Sequence, residues 1–116
     1  MKSLSKTVLP VVAVVLTTTL ALAGPSPEAL DSAKTSADHE AIASTYDAEA
    51  KELRAKANQH RQMARRYSQP ASFKGSHVGS AMETHCKKLA SSYDEAAESA
   101  EALAADHREM AKEASK

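Results

Sequence analysis

Shifting the sequence by 47 residues superimposes it on itself. Tyr46-Asp47 falls on Tyr93-Asp94, and His60-Arg61-x-Met63-Ala64 falls on His107-Arg108-x-Met110-Ala111. Ala43, Ser44, Ala50, Ala55 and Ala57 also meet identical residues, giving 11 identities in the 31 positions from Ser36 to Arg66. Neither copy contains Pro or Gly. A repeat of this length without a breaker describes one long helix present twice, and this limits the fold class to all-α.

The N-terminus reads as an export signal. Lys2 and Lys6 precede an apolar stretch from Val8 to Leu22, and Ala21-Leu22-Ala23 fits the small-x-small cleavage rule, with a mature start at Gly24. The run from Thr7 to Ala23 holds four Thr and a Pro in 17 residues, short for a span of about 20 apolar residues. The expectation is a signal peptide over 1–23 and a mature chain in the periplasm or secreted, with no transmembrane anchor.

The remaining 93 residues suffice for one small domain. They contain no Trp, one Phe and three Tyr against 21 Ala. So few large apolar groups cannot fill a globular core. A helical pair would leave an apolar stripe exposed, and self-association follows as an expectation. Cys86 is the single cysteine. In an oxidising compartment it would be a ligand, a buried thiol or half of an interchain disulfide.

Residues 24–36 form an N-terminal segment in which Ser26-Pro27-Glu28 supplies an N-cap, an N1 proline and a first-turn acid. A short helix is expected there, broken near Lys34 to Ser36. The hairpin then occupies 37–116: a helix over 37–67, a loop over 68–79 containing Pro70, Gly75 and Gly79, and a helix over 80–115. Ser80-Ala81-Met82-Glu83 reads as the capping box of the second helix. Each helix would be about 45–50 Å long.

Both helices carry heptads. In the first, a is His39, Tyr46, Leu53, His60 and Tyr67, and d is Ile42, Glu49, Lys56 and Met63. In the second, a is Cys86, Tyr93, Ala100, His107 and Ala114, and d is Met82, Leu89, Ala96, Leu103 and Met110. Every e position is Ala: Ala43, Ala50, Ala57 and Ala64, then Ala90, Ala97, Ala104 and Ala111. An unbroken line of small residues permits close backbone approach, so an antiparallel, coiled-coil-like hairpin is expected, with the a and d residues in its seam. Two hairpins would complete a four-helix bundle.

Folding about the loop brings His60 toward Cys86 and His39 toward His107, with Met63 and Met110 one turn along and His85 near the first pair. His, Cys and Met are ligands for copper or zinc, so a metal-binding alternative is drawn on these seven residues. Against it, no HxxxH or CxxC pair fixes two ligands on one helix, and a seam His or Met serves equally as core. No CxxCH, HExxH or Gly-rich phosphate loop is present, and two helices form no deep pocket, which argues against an enzyme and against covalent haem.

Charge is zoned along the chain. Lys51 to Ser92 holds nine basic residues against two acids, a net of +7, while the rest of the mature chain holds four against thirteen, a net of −9. In the hairpin the loop end becomes basic and the terminal end acidic. This predicts like charges side by side within one hairpin. Antiparallel docking of two copies would relieve the repulsion, or an anionic surface would meet the tip formed by Arg61, Arg65, Arg66, Lys74, Lys87 and Lys88. No specific nucleic-acid motif is present.

The runs Met82-x-x-His85-Cys86-x-x-Leu89-Ala90-x-x-Tyr93 and Leu103-Ala104-x-x-His107-Arg108-x-Met110-Ala111 resemble a group of small exported proteobacterial Ala-rich proteins. The resemblance extends over the first-helix counterpart from His39 to Met63 and implies export and the helical hairpin. It implies no activity. The functional expectation is a non-enzymatic, self-associating exported protein with a structural or interaction role, a homodimer, with a small copper- or zinc-binding protein as the alternative.

Overall fold

The computed structural model describes residues 24–69 and 77–116. The expected signal peptide, the middle of the loop and Lys74 lie outside them. Among the described residues three helices follow in order: α1 (Pro27–Ser32), α2 (Ser36–Tyr67) and α3 (His77–Ala114). The described residues contain no strand.

Local chemistry explains the helix starts. Ser26 Oγ accepts the Ala29 N–H at 3.2 Å, and Pro27 opens α1 with no N–H to satisfy. Its six residues bury nothing fully, and α1 lies beside the start of α2 across a hollow of about 380 Å³ lined by Gly24, Ala29, Ile42 and Thr45, among others. Thr35 caps α2: its Oγ1 accepts the Asp38 N–H at 3.1 Å. Asp38 Oδ2 accepts the N–H groups of Thr35 at 2.8 Å and Lys34 at 3.0 Å. Two orphan donors are thus satisfied reciprocally. α2 ends at Tyr67, where Arg65 and Arg66 favour the negative end of the helix dipole. α3 begins at His77, upstream of the expected capping box, so Ser80 lies inside the helix. Its backbone oxygen accepts Thr84 Oγ1, and Glu83 pairs with Lys87 instead of capping.

The two long helices pack antiparallel. Asp47 pairs with Arg108, Arg54 with Glu101 and Arg61 with Asp94, so numbers rise along α2 as they fall along α3. The seam is the line of Ala. Ala43, Ala57, Ala97 and Ala104 have no exposed surface, and Ala50, Ala64, Ala90 and Ala111 are buried almost as fully. Cys86 and Ala100 join them from the a positions of α3, and among the described residues no buried one is larger than Ile42. At the middle, Ala50, Ala97 and Ala100 form the core cluster, flanked by half-buried Tyr46 and Leu53.

The expected a/d seam is corrected by this arrangement. Met82, Leu89, Leu103 and Met110, all d residues of α3, are about 40% exposed, at 37%, 43%, 41% and 45%. The buried stripe is a/e. With about 100° per residue, a and e lie about 40° apart on one arc, whereas d falls about 80° from the centre of that arc. Ala–Ala contact draws the backbones so close that little of the circumference beyond the arc can be covered by one neighbour.

The opposite flank belongs to the b positions and carries ion pairs. Arg54 makes a bidentate bond to Glu101, Nε to Oε1 at 3.1 Å and Nη2 to Oε2 at 2.9 Å, and its Nη1 lies 3.6 Å from Asp94. Arg61 pairs with Asp94, and Arg108 bonds Asp47 with Glu40 nearby at 3.8 Å. The expectation of like charges facing each other within the hairpin is therefore corrected. The acids Glu40 and Asp47 precede the bases Arg54 and Arg61 along α2, while Asp94 and Glu101 precede Arg108 along α3, so antiparallel packing sets opposite signs together.

The duplication has a geometric meaning. The pair Arg61–Asp94 becomes Asp47–Arg108 when each residue is exchanged for its repeat equivalent. Arg54 and Glu101 are themselves equivalents, 47 residues apart, as are Ala50 and Ala97. The hairpin has an internal pseudo-two-fold axis passing between these two self-equivalent pairs.

Candidate functional site

The pseudo-axis generates two related polar layers at the seam edge. Toward the termini, the His107 ring stacks on Tyr46 with centroids 5.8 Å apart, and His39 Nδ1 lies 3.1 Å from His107 Nδ1. Toward the loop, the His60 ring stacks on Tyr93 with centroids 5.5 Å apart. The equivalent of His39 in this second layer is the buried Cys86. The buried Nδ1 of His60 has no hydrogen-bond partner. One layer thus places two imidazoles nitrogen to nitrogen, and the other offers an unsatisfied imidazole nitrogen on the thiol-bearing half of the seam.

The facing nitrogens constrain protonation. One ring must donate its Nδ1 proton and the other must accept it, so the two histidines take different tautomers when neutral. Tyr46 and Tyr93 act as apolar lids over the rings. Lys56 stands 6.0 Å over the Tyr93 ring, on the d side of α2.

Of the seven residues proposed as metal ligands, the structure joins His39 to His107 directly. It leaves Met63 half-buried and turns His85 and Met110 outward to solvent. Among the described residues no group of three His, Cys, Asp or Glu side chains is arranged to hold a metal ion.

At the loop end, Arg61, Ala64, Arg65, Ser68, Glu83 and Lys87 line an open hollow of about 260 Å³. Arg61 is committed to Asp94 and to Asn58 Oδ1 at 2.8 Å, and Lys87 to Glu83 at 2.5 Å. Arg65, Arg66 and Lys88 are exposed and carry the positive field of the tip. Among the described residues, no helix is long and apolar enough to cross a membrane.

The interhelical ion pairs are a feature that reasoning from a and d positions missed. Their signal was present as heptad-spaced charge, with Glu40, Asp47, Arg54 and Arg61 on one helix and Asp94, Glu101 and Arg108 on the other. Glu101 holds the Arg54 guanidinium above its ordinary pKa through its hydrogen bonds and charge, and Asp47 does the same to Arg108. No protein-family model matches the chain, and neither a curated protein nor a solved structure resembles it.

Proposed function

We propose that the chain is a non-enzymatic, exported helical hairpin that self-associates and serves a structural or interaction role. The observation that carries this is the exposed stripe Met82, Leu89, Leu103 and Met110 along a hairpin whose own seam buries almost nothing but Ala. Apolar area removed from water is worth about 25 cal/mol per Å², and Ala side chains supply little of it. A second hairpin over the stripe adds burial that this chain lacks alone. Residues 1–23 and the proteobacterial resemblance support export. The exposed Arg65, Arg66 and Lys88 support an anionic partner at the tip as a secondary contact. Sedimentation of the purified protein tests the reading: dimers at about 100 µM in low salt are expected, and a monomer there overturns it.

A second reading, copper(I) or zinc binding, is favoured by the paired imidazoles. Two nitrogens each about 2.0–2.1 Å from a tetrahedral ion stand about 3.3 Å apart, close to the 3.1 Å between His39 and His107. The unsatisfied nitrogen of His60 beside the Cys86-bearing half of the seam would give the related site. Titration with each metal under reducing conditions is decisive. Affinity weaker than about 10 µM for both overturns this reading, because structural sites are far tighter.

A further inference from the structure

We infer that the second copy docks on the outer stripe of α3 in an antiparallel, two-fold register centred on Ala96. The inference rests on the self-association proposed above and specifies its interface. Along α3 the d positions read Met82, Leu89, Ala96, Leu103, Met110, the same in both directions. An antiparallel partner helix crossing at Ala96 therefore sets Met82 against the partner's Met110, Leu89 against the partner's Leu103, and Ala96 against its own copy. The smallest residue sits where the two backbones are nearest. The neighbouring g positions there are Ser92 and Ser99, which also leave room for close approach.

Charge selects the same register independently. An antiparallel crossing at Ala96 brings exposed Lys88 and His85 of each copy alongside Asp106 and Glu109 of the other. A parallel crossing would place each group beside its own kind. On the same flank of α2, Glu49 and Lys56 stand at equal distances either side of position 52–53. Nearer the N-terminus, Ile42 is 5% exposed and lines the hollow beside α1, so the α3 stripe is the open apolar part of this flank.

The occupant is a second copy because both the apolar pattern and the charge pattern are self-complementary in a single register. A foreign partner would not require the palindrome. The docking also places each basic loop end beside an acidic terminal end, so the short-range pairs and the long-range field agree on orientation.

Cross-linking tests the register. In a Cys86→Ser background, Ala96→Cys should form an interchain disulfide under mild oxidation, because its Cα atoms fall within the about 7 Å that a bridge tolerates. Leu89→Cys and Leu103→Cys should cross-link each other when mixed, and each alone should not. Ala105→Cys, on an exposed face away from the stripe, should remain reduced. Leu89→Glu with Leu103→Glu should weaken the dimer by at least about tenfold, with helicity retained by circular dichroism. A dimer in sedimentation without cross-linking at position 96 overturns this interface and leaves self-association standing. A protein that sediments as a monomer overturns both.

Discussion

At the residue scale, size at the e positions controls how closely the helices approach. Ala57 and Ala104 have no exposed surface. A larger side chain at either place has nowhere to go except between two backbones. Ala57→Leu or Ala104→Leu should therefore destabilise by about 1–3 kcal/mol, read by thermal unfolding, as overpacking does in a filled core. An unchanged midpoint would mean that the seam lies elsewhere. The same tight contact fixes the histidines. At neutral pH, ¹⁵N imidazole spectra should show one Nδ1 protonated and one bare within the His39–His107 pair. Two rings with the same tautomer would mean that the rings do not meet in solution.

At the element scale, α2 depends on its reciprocal cap. Thr35→Ala removes the acceptor for the Asp38 N–H and should cost about 1 kcal/mol, visible as faster hydrogen exchange over 36–39. Asp38 adds a pH dependence whose sign follows from its partners. The backbone N–H of Lys34, with further donors from Thr35, stabilises the carboxylate and holds its pKa below the ordinary 3.8. A carboxyl depressed on folding contributes stability that is present above the unfolded pKa and is lost as pH falls through the folded value. The cap should therefore survive from neutrality to about pH 4 and fail below it, with Asp38→Asn removing that acid step from exchange profiles. An identical acid step in the variant would show that another group is responsible. α3 has no comparable requirement at Ser80, because the helix has already started at His77.

At the scale of the whole molecule, charge acts twice. Within one hairpin, the b-position pairs stitch α2 to α3 and fix the direction of packing. They are exposed at the rim, so they decide register more than they add stability. Between hairpins, the poles of the rod act over a distance of about a Debye length, so raising salt from 0.05 to 0.5 M should weaken the proposed dimer modestly and slow its formation. Lys88→Glu should weaken the dimer, and adding Asp106→Lys with Glu109→Lys should restore it. Failure of the restoring variant would detach the charge zoning from assembly.

The 47-residue repeat and the unbroken Ala line determined by themselves that this chain forms two long helices in close antiparallel contact. Alanine without Gly or Pro permits little but helix, and small side chains at a constant spacing can only be a contact line. The His39–His107 contact was also legible, from the folding point of the hairpin. Which neighbours of the Ala line go inside was not. Leu89, Leu103, Met82 and Met110 look like core by hydropathy, and one-dimensional periodicity admits either an a/d or an a/e stripe. Tertiary packing decided for a/e, because the Ala contact and the Arg54–Glu101, Arg61–Asp94 and Arg108–Asp47 pairs are met together by only one rotation of each helix. That rotation turns the larger d residues of α3 to solvent. A pair of helices has only one mutual face, and the shortest side chains, by allowing the closest approach, claim it.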